Sequence, residues 1–332
     1  MQHRFLLKIL ALCTAAGLCA CATAADRVTI MVAGFEKQIY LPAKLAERLG
    51  YFKAEGLEVD LLNEASGVNA ENELLAGAVQ GVIGFYDHCV VLQTKGKQVL
   101  SVVQFSQAPG EVLMVSSRHP EIKTIADLRG KRLGVTGLGS STSYLSQYLM
   151  VKSGVPLGEI TTLPVEAATT FIAAMQHDKI DAGMTSEPTI SRLLKAGTAR
   201  ILVDLRSVDT SKQALGGTYP AASLYMSSDW VAKHKPVVQK LANAFVKTLK
   251  FINTHSAAEI AEHMPKEFYA GDQEAYTKAL ADGKSMFTPD GVMPAGGPET
   301  VLLVLSGFSK AVKGKTVDLA KTYTTEFVKN AK

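Results

Sequence analysis

Apolar and polar positions fall into blocks along this chain. RVTIMVA (27–33), LEVDLL (57–62), VIGFY (82–86) and VLSVVQF (99–105) are apolar runs of strand length. Between them, LPAKLAERLGYF (41–52) puts apolar residues at 41, 45, 49 and 52, the spacing of one helix face. Residues 68–79 read as a second helix, with Glu71 and Glu73 in the first turns, where carboxylates suit the helix dipole. VLQTKG predicts only the end of a helix. Strand, helix and strand in alternation predict an α/β fold with a parallel sheet.

The pattern restarts with EVLMVSS (111–117). Strands are predicted at 132–136, 161–166, 180–186, 199–205 and 221–228, and helices at the stretch opening with Gly137, at 168–177 and from Pro188. Proline suits a first helical turn, where its missing N–H costs nothing. From Asp229 the chain is helical. Two α/β units followed by a helical tail fit the two domains that 332 residues suggest.

Residues 1–25, MQHRFLLKILALCTAAGLCACATAA, change the picture. Arg4 and Lys8 precede a short apolar run, and Ala22, Thr23 and Ala24 offer a small-residue cleavage site: a secretory signal peptide cleaved near residue 25, too short to span a bilayer. Leu18-Cys19-Ala20-Cys21 loosely resembles a lipobox, in which Cys21 would carry lipid. Of the four cysteines, Cys13, Cys19 and Cys21 belong to this leader, leaving Cys89. Neither a disulfide framework nor a cysteine metal cluster can be built from that. The net charge of +4, two units of it from Arg4 and Lys8, is too weak and dispersed for nucleic-acid binding.

Candidate chemistry concentrates in GLGSSTSYLSQYLMVKSG (137–154). A strand precedes it and a helix starts in it, so Gly139, Ser140, Ser141 and Thr142 lie where orphan N–H groups and hydroxyls can hold an anion. A phosphate loop would need a lysine that is absent, and the dinucleotide fingerprint fails at Thr142. The alternative is that Ser140 or Ser141 merely caps the helix. Asp87-His88-Cys89 reads as a polar strand end with a buried Cys89, because neighbours on an extended segment face opposite ways. Tyr86 or Asp87 can still touch a ligand at a strand end. Phe35, Tyr40, Phe85, Tyr86 and Tyr219 can wall a pocket or belong to the core. Glu187 either receives a ligand amine or hydroxyl or favours its helix N-terminus. The histidines at 119, 177, 234, 255 and 263 look structural or solvated. No nucleophile elbow, metal motif or cofactor fingerprint is present, so neither an enzyme nor a cofactor is expected.

Three stretches together carry a resemblance. YLPAKLAERLGYFKAEGLEVDLL (40–62), IKTIADLRGKRLGVTGLGSST (122–142) and DKIDAGMTSEP (178–188) resemble the periplasmic solute-binding proteins of ABC importers for nitrate, sulfonates, taurine, phthalate-like acids and thiamine pyrimidine precursors. The likeness spans about 27 to 255. It implies a type II-like, two-lobed periplasmic-binding-protein fold, each lobe a mostly parallel sheet flanked by helices. Lobe 1 would take 26–112, lobe 2 113–218, and 219–332 would return to lobe 1, with hinge crossovers near 108–116 and 215–224. By position it implies ligand loops carrying Phe35, Gln38 and Tyr40; Val68 and Asn69; Tyr86 and Asp87; Gly139 to Thr142; Glu187; and Tyr219. It further implies a monomeric periplasmic protein that captures a small organic anion, a sulfonate or carboxylate, and serves a membrane permease and its ATPase. A pyrimidine-type ligand is the alternative, and a secreted enzyme of this fold the alternative of another class. The sequence lacks the cysteine-rich motif of the related thiamine-precursor synthases and shows no nitrate-type His and Lys set.

Overall fold

The computed structural model describes residues 25–269 and 271–332. The leader, Cys21 included, falls outside the described residues. Ten strands form: β1 (Asp26–Val32), β2 (Leu57–Asn63), β3 (Gly81–Phe85), β4 (Val99–Gln104), β5 (Glu111–Ser116), β6 (Arg132–Val135), β7 (Thr161–Pro164), β8 (Ala182–Ser186), β9 (Ala199–Asp204) and β10 (Ala222–Ser227). They make two five-stranded sheets, ordered β2-β1-β3-β10-β4 and β7-β6-β8-β5-β9. The predicted α/β architecture of two lobes is what is seen.

Both sheets are mixed. β1 runs parallel to β2 and β3, and β6 parallel to β7 and β8. β10 is antiparallel to β3 and β4, and β5 to β8 and β9. The reversed strand of each sheet is the one that arrives from the other lobe, so its direction follows from the crossing and not from its own residues.

Local chemistry explains the boundaries. The helical pattern over 41–52 breaks in two, Leu41–Arg48 and Tyr51–Ala54, because Gly50 adopts φ 72°. Ser66 caps Gly67–Leu75 through Asn69 N, and Ser207 caps Val208–Leu215, a helix the apolar pattern does not reveal. β5 is buried throughout, and its alternation serves two cores. Val112 and Met114 face Phe171, Met175, Ile180 and Ile190, whereas Leu113 and Val115 join the main core.

That main core runs through both lobes. The C-terminal helix Gly297–Phe308 packs on Ser141–Lys152 of lobe 2, with the rings of Tyr144 and Phe308 6.1 Å apart. The chain end also shields the edge strand β4: Ser101 N donates to Thr322 O at 3.0 Å, and Thr324 N to Ser101 O at 2.9 Å.

The chain crosses between the sheets at 105–110 and 205–221. These positions differ from those the resemblance implies, because Glu111–Ser116 is already paired on both sides. The crossings hydrogen-bond to each other: Gly110 N to Leu205 O at 3.1 Å, Leu205 N to Glu111 O at 2.9 Å and Ala221 N to Ser106 O at 3.2 Å. The two segments, the second of which carries helix Val208–Leu215, meet through these bonds and form a narrow hinge.

Close packing in lobe 2 rests on facing glycines. Gly134 of β6 lies opposite Gly183 of β8, and a Cβ on Gly183 would stand 2.6 Å from Phe171 Cζ and 2.8 Å from Gly134 O. One of those neighbours is backbone and cannot swing away. Gly183→Ala is expected to cost about 1–3 kcal/mol of unfolding free energy. Urea denaturation checks this, and a midpoint matching the parent's would contradict the packing described.

Candidate functional site

The lobes meet around a narrow cavity at the carboxyl ends of their strands. Lys37, Tyr40 and Gly67 line it from lobe 1, and Glu111, Ser186 and the tip of helix Ser141–Lys152 from lobe 2. Backbone and side chains cross the gap directly. Gln38 N donates to Glu187 O at 3.0 Å, and Ser141 Oγ donates to Asp87 Oδ1 at 2.8 Å. Further out, Lys195 of lobe 2 pairs with Asp272.

Asp87 is the centre of this arrangement. It is fully buried and opens helix Asp87–Thr94, directly after β3. The reading of Asp87-His88-Cys89 as an extended strand end is therefore corrected. The chain turns into a helix at once, and on a helix the three side chains fan out around the axis. Tyr219 OH from the second crossing donates to Asp87 Oδ2 at 3.0 Å. One carboxylate thus joins lobe 1, the lobe 2 helix and a hinge strand. Burial pushes its carboxyl above the usual range, while His88 and the two hydroxyls pull it part of the way back.

Behind Asp87 lies a second buried pair. His88 Nδ1 is hydrogen-bonded to Glu71, and His88 Nε2, 4.0 Å from Asp87 Oδ1, has no hydrogen-bond partner. Burial disfavours the imidazolium, but the Glu71 charge and hydrogen bond outweigh it, so the His88 pKa is raised. A Cβ on Gly67 would sit 2.9 Å from His88 Nε2, so this first helical residue must be small. Tyr225 stacks on His88 with centroids 6.2 Å apart, and its buried hydroxyl has no partner.

The hydroxyls of the helix tip are satisfied from within, while the backbone N–H groups of Ser141 to Ser143 have no acceptor among the described residues. Ser140 Oγ donates to Gly137 O at 2.6 Å. Thr142 Oγ1 accepts from Thr136 N at 3.0 Å and lies 2.9 Å from Thr136 Oγ1. With Ser141 bound to Asp87 and Ser143 Oγ accepting from Gln147 Nε2 at 2.8 Å, all four tip hydroxyls have protein partners. The side-chain cap alternative for the tip is not what is seen. Ser140 is the N-cap residue but makes no side-chain cap bond. The anion beside the helix start is the chain's own Asp87.

The other expected contacts divide. Tyr40 and Tyr219 belong to the site, and Tyr40 packs edge-on against Phe85, with centroids 6.2 Å apart. Val68 touches the tip at Gly137 and Gly139. Gln38 works through its backbone, its side-chain amide donating to Tyr276 O at 2.9 Å. Asn69 is exposed and faces away. Phe35 turns outward under Lys44, whose Nζ lies 4.5 Å from the ring centroid. Tyr86 is buried against the C-terminal segment, bonded to Thr322. Glu187 is held within lobe 2 by Arg206 Nη1 at 3.0 Å and by Ser191 N at 3.0 Å. His119, read as structural or solvated, lies beside Asp178 and Asp181, where Arg132 already provides the positive charge.

Lys37 and Glu111 were not singled out in the sequence. Lys37 Nζ donates to Ala33 O at 2.6 Å and Ala65 O at 3.0 Å, and burial lowers its pKa against the pull of Glu36 and Glu111. Glu111 is 5% exposed, and its Oε2 has no hydrogen-bond donor. Burial pushes its carboxyl well above the usual range, and the Asp87 charge adds to this. A charged residue opening an otherwise apolar run was the available signal.

A family model described as NMT1/THI5 like matches residues 40–258, a span that takes in Tyr40, Asp87, Glu111, the helix tip and Tyr219. The chain belongs to the NMT1/THI5-like family. A solved protein of Bordetella bronchiseptica RB50 is 32% identical, with a TM-score of 0.89 over 92% of this chain and 97% of its own. The alkanesulfonate-binding protein SsuA of Xanthomonas axonopodis pv. citri, bound to MOPS, superposes with a TM-score of 0.73 at 18% identity, covering 92% of this chain and all (100%) of its own. The periplasmic nitrate-binding protein NrtA of Synechocystis PCC 6803 gives 0.75 at 13%, covering 92% and 88%. At those identities the last two show the fold alone, a two-lobed periplasmic-binding-protein fold, for this NMT1/THI5-like chain.

Removing one donor from a buried carboxylate costs about 1–3 kcal/mol. Ser141→Ala and Tyr219→Phe are each expected to lower the unfolding free energy by that amount. Urea denaturation reads the effect, and parent-like stability in both variants would mean that Asp87 is solvated.

Proposed function

We propose that this chain is the extracytoplasmic solute-binding subunit of an ABC importer. It catches a small organic solute between its lobes, closes over it, and presents it to a membrane permease and its ATPase. The observation that carries this reading is the seam between the lobes. Buried polar side chains from both lobes converge there on a space of only about 10 Å³, as expected of lobes closed without solute, and the lobes are tied by two crossing segments bonded to each other. Export of the chain, inferred from its leader, places it where such a subunit works. The names of the SsuA and NrtA neighbours, an alkanesulfonate-binding and a periplasmic nitrate-binding protein, support solute binding on this fold.

The aromatic side chains at the site, Tyr40 and Tyr219, suit an organic body more than a bare inorganic ion. A sulfonate or carboxylate on the tip hydroxyls, the finer expectation from the sequence, loses support from the bonds those hydroxyls already make. A pyrimidine-type solute keeps its place among the ligands to test. An enzyme reading finds little to use. Cys89 is fully buried and burial pushes its thiol well up, the reverse of an activated nucleophile.

A solute at a hundred times its dissociation constant should stabilise the protein by about 2.7 kcal/mol, so a thermal-shift screen identifies it. The ligand-free chain is expected to populate an open form beside the closed one that Asp87 favours, so saturating solute should deplete the open form and give a smaller radius of gyration in solution scattering. Superimposable curves with and without it would contradict capture by closure.

A further inference from the structure

The tip hydroxyls lining the cavity are already engaged, and one acceptor there is spare. Its lysine gives two protons to Ala33 O and Ala65 O. The hydroxyls of Thr136, Ser140 and Thr142 bond to one another and to the nearby backbone, and Ser141 donates to Asp87. Against this stands Glu111, nine-tenths buried, lining the cavity, with Oε2 unmatched by any donor among the described residues. A buried carboxylate left without a donor is costly, so such a group marks a place where a partner is missing.

The charges point the same way. Among the described residues Glu111 has Lys37 as its one neighbouring cation but no ion pair with it, and the nearby Asp87 adds to the cost of its charge, while Glu71 and His88 pair behind them. Burial therefore holds an unpaired carboxyl towards its protonated form. An anionic solute would press it further that way; a protonated nitrogen would let Glu111 ionise and supply the N–H that its Oε2 lacks.

From this we infer that the captured solute carries a cationic nitrogen group, an ammonium, amidinium or guanidinium, whose N–H is received by Glu111. Asp87 supplies the neighbouring charge, and Tyr40 offers a wall for the solute's apolar body. The inference rests on the solute-capture reading and names the chemistry of that same site. It reverses the anion expected from the helix tip.

The test uses the mature chain and two matched probe sets, aromatic and aliphatic. The cations are benzamidinium, benzylammonium and short alkylguanidinium ions; the anions are benzoate, benzenesulfonate and short alkanesulfonates. Thermal shift and titration calorimetry should show stabilisation by at least one cation and by none of the anions. Glu111→Gln should weaken that cation about 10- to 100-fold, the loss of a charge-assisted hydrogen bond. The same variant, relieved of a buried carboxyl, should melt no lower than the parent when unliganded, which separates lost binding from lost folding. Binding of anions alone, or cation binding unchanged in Glu111→Gln, would overturn the inference and leave solute capture standing. Failure of both probe sets would count against the inference and against solute capture together.

Discussion

A carboxylate buried between two lobes sets the terms for the rest of this structure. Removing Asp87 from water is tolerable only because hydroxyls from elsewhere in the fold reach it, Ser141 from the second lobe and Tyr219 from the returning hinge strand. Neither donor is near Asp87 in sequence. The bonds therefore exist only when both sheets are complete and the lobes are together. The positive end of a helix, a hinge strand and the first lobe converge on one acidic group, and the closed arrangement is written into that convergence.

The same geometry constrains motion. The crossings are bonded to each other, so they bend as one unit. Opening must also slide the C-terminal helix Gly297–Phe308 along Ser141–Lys152, where Gly307 lets Tyr148 approach closely. Because side chains from lobe 2 share the main core with lobe 1, closure is a repacking of one continuous surface and not a hinge between isolated bodies. A solute that neutralises Glu111 would stabilise the closed packing, since it relieves a buried cost that the protein alone leaves in place.

Much of the fold was legible in the chain. The central strands β3 and β5 lie under apolar runs, because a strand covered on both faces must be apolar at nearly every position, whereas the edge strand β7, TTLP, does not. Strand direction was not legible. β5 and β10 are reversed by where they come from, information that lies in the crossings. Helix Val208–Leu215 was missed for want of an apolar stripe, and the start of the helix at Asp87 because the polar Asp87-His88 pair reads as the end of a strand. Position in the loops pointed to Tyr40, Asp87, the tip and Tyr219, which the fold brings together where the lobes meet. It failed for Tyr86, whose hydroxyl finds Thr322 236 residues away. It passed over Glu111, since a strand reading gives no weight to a charge at the strand's first position. Lys37 was passed over because the loop was searched for aromatics. The tip illustrates the limit most clearly. Its sequence advertises hydroxyls and orphan N–H groups, but only the fold reveals that the chain has supplied its own carboxylate.

The central claim is that Asp87 holds the lobes together, and an inter-lobe distance measurement tests it directly. Spin labels at Asp60→Cys and Lys123→Cys, exposed positions on opposite lobes, leave the buried Cys89 unlabelled. Asp87→Asn keeps the shape but replaces one acceptor oxygen with a donor, so either Ser141 or Tyr219 loses its partner. Pulsed electron spin resonance on the ligand-free protein should then show a distance distribution broadened and shifted to longer values, with Tyr86→Phe in the same background matching the parent. An unshifted distribution in Asp87→Asn would contradict the account.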